Sequence, residues 1–224
     1  MKSIILPEQK GFIKSRYILD AIIALWKAVE LAEESDQSYI FLKVDFHKAY
    51  DRIEWDFIFQ SMQDAGFGKK FIKLTQLLFG NAFAKVAING DLSGLFPLRR
   101  STRQGCPIAT LLFAICYDSL GWLVKDALSK GNIQGIQVPG FTSQLCLQQF
   151  ADDTNGLIRD DPRSIGNLLT YLDAFCTANG SEINHNKIGY RSSTGSTPSI
   201  CSDAGYKELE DGQSGFKLSR EECS

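Results

Sequence analysis

Tyr39-Ile40-Phe41-Leu42-Lys43-Val44-Asp45 is the stretch from which the fold is read. Its first six residues are rich in β-branched and aromatic side chains and nearly continuous in hydrophobicity, the pattern of a central strand covered on both faces. The strand ends on a carboxylate. Upstream, from Arg16 to Glu34, Ile18, Ile22, Leu25, Trp26 and Val29 recur with the period of a helix and predict a core-facing stripe. Downstream, Asp51-Arg52-Ile53-Glu54 fits a capping box opening a helix through Trp55, Phe57, Ile58 and Met62 to Gly66. A further helix is expected over Lys69 to Phe79.

Working further outward, Phe83 to Ile88, the turn Asn89-Gly90-Asp91 and Leu95 to Arg100 predict a β-hairpin. After Gly105, Pro107 suits a first helical turn. Ile108, Leu111, Leu112, Phe113, Ile115, Leu120 and Leu123 then make a helix apolar nearly all round, which must be buried. Leu145 to Phe150 and Asn155 to Ile158 form a second hairpin whose tip is Ala151-Asp152-Asp153-Thr154. Asp161-Pro162 caps and starts a helix carrying Ile165, Leu168, Leu169, Leu172 and Cys176 on one face, stopped by Asn179-Gly180. Beyond Tyr190 the chain turns Ser/Gly/Thr-rich and loses periodicity, so residues 191–224 are expected to be a disordered tail. There is no internal repeat. This order of elements predicts an α+β fold, an antiparallel sheet with helices packed on one face.

Composition bounds the function. The 224 residues carry 24 Lys+Arg against 26 Asp+Glu, so a net charge of -2 gives no global attraction to nucleic acid. A polyanionic partner would have to be held by local basic groups or bridging cations. The longest apolar runs, such as Ile108 to Tyr117, fall short of the roughly 20 residues a membrane helix needs, and Met1 to Pro7 is too short to act as a secretory signal. No membrane partner is expected. The six cysteines form no C-x-x-C pair, so neither a zinc knuckle nor a disulfide framework is indicated, and a reducing, intracellular location is the expectation, nucleus or cytoplasm undecided.

A carboxylate ending a buried strand is costly unless its charge is compensated, and the second hairpin offers two more at Asp152 and Asp153. If the strands lie side by side, the three converge, each raising the others' pKa unless a cation sits between them. Mg²⁺ suits such a set, because carboxylates leave coordination positions open for water and phosphate oxygens. Adjacent Asp pairs are more often solvated turns, and Asp160-Asp161 in this chain is assigned to helix capping. From the residues alone, a divalent-metal site is therefore one candidate reading beside a solvated turn.

Three motifs, Val44-Asp45-Phe46-His47-Lys48-Ala49-Tyr50-Asp51, Arg103-Gln104-Gly105-Cys106-Pro107 and Phe150-Ala151-Asp152-Asp153, stand in the order and spacing of the palm of reverse transcriptases, which the chain resembles. Gln9-Lys10-Gly11-Phe12-Ile13-Lys14-Ser15-Arg16 upstream and Phe175 to Lys187 downstream look like the non-LTR (LINE-type) retrotransposon branch. The resemblance runs from Pro7 to Tyr190. It implies a polymerase palm over 37–190, preceded over 1–36 by an N-terminal helical segment of the fingers or palm, with partial fingers, no thumb and no endonuclease. It further implies RNA-directed DNA synthesis with two Mg²⁺ ions, Mn²⁺ being a possible substitute, on an RNA template with a DNA primer and deoxynucleoside triphosphates.

By the same resemblance Asp45 and Asp152 are the principal metal ligands and Asp153 a nearby carboxylate of lesser role. Phe46, Tyr50, Gln104 and Gly105 line the nucleotide, Tyr50 as an aromatic gate against a 2′-hydroxyl or, alternatively, as a core aromatic. Arg99, Arg100 and Arg103 either contact nucleic-acid phosphate or form a solvated edge. Lys187 either steadies or protonates the leaving pyrophosphate or is solvated. Asp51 is read as a helix cap, and His47 and His185 as surface groups. Two departures, Cys106 where Asp is common and Ala109-Thr110 in place of a small residue and Pro, remove no metal ligand. The alternative to an active polymerase is a truncated, catalytically inactive remnant with at most weak nucleic-acid binding.

Overall fold

The computed structural model describes residues 4–35, 37–80, 82–102, 105–140, 144–184, 189–193 and 207–208. In chain order the elements are α1 (Ile18–Glu33), β1 (Tyr39–Val44), α2 (Ala49–Arg52), α3 (Trp55–Asp64), α4 (Lys69–Phe79), β2 (Phe83–Ala84), β3 (Ala87–Ile88), β4 (Asp91–Leu92) and β5 (Phe96–Pro97). Then follow α5 (Ala109–Ser129), β6 (Leu147–Phe150), β7 (Asp153–Arg159), α6 (Pro162–Asn179), β8 (Gly189–Ser192) and β9 (Lys207–Glu208). The main sheet has the order β6-β7-β1-β8-β9 and is antiparallel except for the β8–β9 pair. It is an α+β, palm-like sheet, but the expectation of helices on one face alone is corrected: α1 lies on the face opposite α3, α5 and α6, because β1 is apolar on both sides.

β1 is central, and alternation along it builds two cores. Ile40, Leu42 and Val44 join Ile158 of β7 and meet α3, α5 and α6 on one face. Tyr39, Phe41 and Leu157 meet α1 and the Ile136, Val138 and Leu145 segment on the other. The two-sided burial expected of β1 is thus supplied by α1. The expected stripe on that helix is corrected: Ala21, Ala24, Leu25, Ala28 and Ala32 are buried, whereas Ile18 and Trp26 are each 48% exposed. Alanines bring the helix axis close to the sheet, and the larger strand residues fill the space between.

α5 is apolar all round because it runs through the core, with Phe113, Tyr117 and Leu120 fully buried. α6 starts as expected, Asp161 Oδ1 accepting from Ser164 N at 2.8 Å with Pro162 following, and ends at Gly180, whose φ of 77° suits glycine. The capping box at Asp51 is corrected. Lys48 takes φ 47° and starts the one-turn α2, so Asp51 lies inside that turn; burial of Ile53 then pulls the chain out of helix, and Glu54 is the residue that precedes α3.

The hairpin expected over Phe83 to Arg100 forms as two nested ladders, β2–β5 and β3–β4, closed at Asn89 and Gly90 with φ 52° and 94°. The second hairpin is tighter than expected. Phe150 pairs with Asp153, so Asp153 and Thr154 belong to β7 and the turn is Ala151-Asp152 alone. The boundary expected at Tyr190 also shifts: β8 runs to Ser192 and pairs with β1, and Lys207–Glu208 pair with β8 in parallel. No described helix is long and apolar enough to cross a membrane.

Candidate active site

The site lies where β1 and β7 end together. Their antiparallel register runs from Tyr39↔Arg159 to Val44↔Thr154, and one further step sets Asp45 across from Asp153, with Asp152 in the adjoining turn. Three carboxylates from distant parts of the sequence are thereby gathered at one edge of the sheet. Asp45 and Asp152 are half-buried and Asp153 is exposed. The Asp152 carboxyl is pushed above the usual carboxylate range, first by burial and then by the charges of Asp153 and Asp45, against a lowering hydrogen bond from its own backbone. At Asp152 the neighbouring charges thus act in the direction expected of converging carboxylates.

Asp45 is held from the opposite side. The isolated bridge Phe46↔Ile183 brings Asn184 alongside, where its backbone N donates to Asp45 O at 2.8 Å and its Nδ2 to Asp45 Oδ2 at 2.9 Å. Asn184 is a residue that sequence reading did not single out, although it lies in the Phe175 to Lys187 stretch that carries the resemblance, since its position depends on a bridge spanning most of the chain. Hard oxygen donors and mutual repulsion suit a divalent cation. Among the described residues no three His, Cys, Asp or Glu side chains form a group that could hold a metal ion, so the carboxylates fit a divalent cation in donor chemistry and in their common sheet edge but do not make a preformed cage.

Tyr50 lies near the site. Its ring stacks on Phe113 with centroids 4.0 Å apart, Phe113 stacks on Tyr117 at 4.2 Å, and Phe46 meets Tyr117 edge-on at 5.1 Å. The Tyr50 hydroxyl is pushed up to about 12, mainly by burial and further by the charge of Asp152, which places ring and carboxylate in one electrostatic neighbourhood. The core reading of Tyr50 accounts for the ring face stacked on Phe113, and the rest of the half-buried ring lies within electrostatic reach of Asp152. Phe46 is 4% exposed, with its ring in the core.

Thr102, fully buried, donates its backbone N to Tyr50 O at 2.9 Å, and Ser101 N donates to Ile53 O, so the segment that follows β5 and carries Arg99 and Arg100 runs beside α2. Arg99 and Arg100 are exposed at its start. Gly105 has φ 86° with nothing within 4 Å of the position a Cβ would take, which suits glycine by conformation and leaves open space beside the backbone. His47 is exposed. Arg103, Gln104, His185 and Lys187 lie outside the described residues.

Comparison with known proteins bears on the family and the fold. Residues 1–202 match the family model described as reverse transcriptase (RNA-dependent DNA polymerase). The chain is 24% identical over 187 residues to the transposon TX1 149 kDa protein of Xenopus laevis, covering 84% of this chain and 14% of that protein. It is 23% identical over 208 residues to the Pol polyprotein of the type-1 retrotransposable element R2 of Popillia japonica, covering 88% of this chain and 32% of that one. Among solved structures, telomerase of Candida tropicalis shares the fold with a TM-score of 0.59 at 13% identity, over 83% of this chain and 30% of that chain. The chain thus spans a third or less of these relatives. With the motif carboxylates assembled on a palm-like sheet and the family model covering most of its length, the chain belongs to the reverse transcriptase (RNA-dependent DNA polymerase) family.

Proposed function

We propose that this chain is the palm of a non-LTR retrotransposon polymerase that adds deoxynucleotides to a DNA primer 3′-OH along an RNA template. One observation carries the reading: the β1–β7 pairing gathers Asp45, Asp152 and Asp153 so that the charge of Asp152 is raised in energy by both neighbours. Such an arrangement is unfavourable for a bare chain and suited to one that takes up cations. When bound, two Mg²⁺ ions, or Mn²⁺ in their place, would neutralise charge at the α-phosphorus and lower the pKa of the attacking hydroxyl.

The rest falls to the chain. Asp45 and Asp152 hold the metals, and Asn184 fixes the orientation of Asp45. Tyr50, rigid on the Phe113–Tyr117 stack, presents an edge that excludes a 2′-hydroxyl. Phe46 contributes its backbone, since its ring is occupied in the core. Gly105 lets main chain approach the template and nucleotide, with Gln104 beside it in sequence. Arg99, Arg100 and Arg103 contact phosphate, which local charge must do in a chain of net charge -2. Lys187 protonates the departing pyrophosphate.

Primer extension on poly(rA)·oligo(dT) with Mg²⁺ or Mn²⁺ tests this. Template-dependent extension by the wild-type chain that disappears in Asp45→Ala and Asp152→Ala is the expected result. The same null result from wild type and Asp45→Ala would overturn it in favour of an inactive remnant.

A further inference from the structure

The turn that presents Asp152 is held from outside the hairpin. A two-residue hairpin turn with positive φ at its first position ordinarily takes glycine there, yet this chain has Ala151 with φ 58°. A β-carbon in that region is strained, so something must hold it. Gln9 does so. Its Oε1 accepts from Ala151 N at 3.0 Å and its Nε2 donates to Ala151 O at 3.3 Å, so one side-chain amide satisfies both polar groups of the strained residue. Gln9 is itself fully buried, and Gly11 N donates to the same Oε1 at 2.9 Å, which fixes the orientation of the amide.

Gly11 is part of the same fit. A Cβ there would come within 2.3 Å of Ala151 N and 2.9 Å of Ala151 Cα, so no side chain can stand at position 11 without displacing the turn. Backbone pairing sets the register: Lys10 N donates to Gln149 O at 2.8 Å and Gln149 N to Glu8 O at 3.0 Å, laying the segment along β6. Arg16 ties the segment's far end back on itself, its Nη1 donating to Gln9 O at 2.6 Å and to Leu6 O, and its Nη2 to Ile5 O at 2.7 Å. Asp118 of α5 anchors it to the core by accepting from Leu6 N at 2.8 Å.

We infer that residues 5–16 form a buckle whose function is to hold the Ala151-Asp152 turn in the conformation that presents Asp152, with Gln9 as the positioning residue. This rests on the reading of Asp152 as a metal ligand. Gln9 touches neither metal nor substrate; it acts through the Ala151 peptide. The consequence is that affinity at the carboxylates depends on a glutamine more than 140 residues away in sequence.

The test uses Gln9→Met, which keeps the shape of the side chain and removes its hydrogen bonds, with Ala151→Gly and the double variant. Three readouts are taken: hydrogen exchange at the Ala151 amide, Mn²⁺ uptake followed by the EPR signal of the free ion, and thermal unfolding. Gln9→Met is expected to unfold cooperatively, to exchange the Ala151 amide roughly tenfold faster or more, and to weaken Mn²⁺ uptake severalfold. Adding Ala151→Gly, which relieves the strain, is expected to restore most of the uptake. Unchanged exchange at Ala151 would overturn the inference, as would a loss of uptake in Gln9→Met that Ala151→Gly does not restore. If the wild-type chain takes up no Mn²⁺, the assignment of the metal site is what fails, and the buckle stands or falls on exchange at Ala151. Should Gln9→Met not fold, Gly11→Ala supplies the same three readouts with the amide of Gln9 intact.

Discussion

Replacing Asp45 by Asn should stabilise the metal-free chain and at the same time abolish its stabilisation by metal. The first half follows from charge. Residues directly opposed in an antiparallel ladder have Cβ atoms about 5 Å apart, and two unit charges at that distance repel by about 1 kcal/mol in water and about 3 kcal/mol at an effective dielectric near 20. Asp45 and Asp152 are half-buried and Asp153 is exposed, so the lower figure applies, and it corresponds to a rise in Tm of about 2–4 °C for a chain of this size. Asparagine is close to isosteric, and its Oδ1 can still accept from Asn184 Nδ2, so the substitution isolates the charge. The gain should shrink in high salt. The second half follows from linkage: metal at 100 times its Kd should add about 2.7 kcal/mol to the wild type and little to the variant. Calorimetry of both proteins in chelator and in Mn²⁺ reads both effects. A less stable variant in chelator, or an equal response to Mn²⁺ in both proteins, would refute the reasoning.

Other outcomes follow from the same geometry. Asp118, 4% exposed on α5, has its carboxyl raised from 3.8 to about 6, chiefly by burial, so a charge at that site costs about 3 kcal/mol. Because the folded value lies above the unfolded one, this contribution is fully present below pH 3.8 and lost as pH rises through about 6; Asp118→Asn should flatten that part of the thermal stability profile, and identical profiles would count against it. Phe113→Ala removes the fully buried middle ring of the Tyr50–Phe113–Tyr117 stack and should cost about 3–5 kcal/mol in denaturant unfolding, while a loss below about 1 kcal/mol would mean the stack is not packed as described. Tyr50→Ala should admit ribonucleotides in the primer-extension assay; unchanged discrimination between the two sugars would assign Tyr50 to the core alone.

Much of the fold was legible because its signals are local. β1 and α4 have the bounds that composition and periodicity predict, and Asp161-Pro162 and Asn179-Gly180 start and stop α6 as their side-chain and backbone chemistry requires. What was not legible depends on contacts made far away. The buried stripe of α1 is alanine because the sheet residues opposite are large, a fact about Tyr39 and Leu157 rather than about the helix. Asp51 looks like a cap until Ile53 is buried and breaks the turn. At the site, strand pattern and the Asp152-Asp153 pair reached a divalent-cation reading with a solvated turn beside it, and family resemblance supplied the chemistry. The partners that orient the carboxylates, Asn184 for Asp45 and Gln9 for the turn before Asp152, lie in stretches that carry the family resemblance, but nothing local gives either a role, since each becomes meaningful when a strand end or a turn is brought to it.

Crystals of the chain soaked in Mn²⁺ and measured at the manganese absorption edge put the central claim to its most direct trial. Anomalous density between the carboxylates of Asp45 and Asp152, with oxygens drawn in to coordinate it, is the predicted result. Manganese bound elsewhere, with those two side chains still apart, would contradict it.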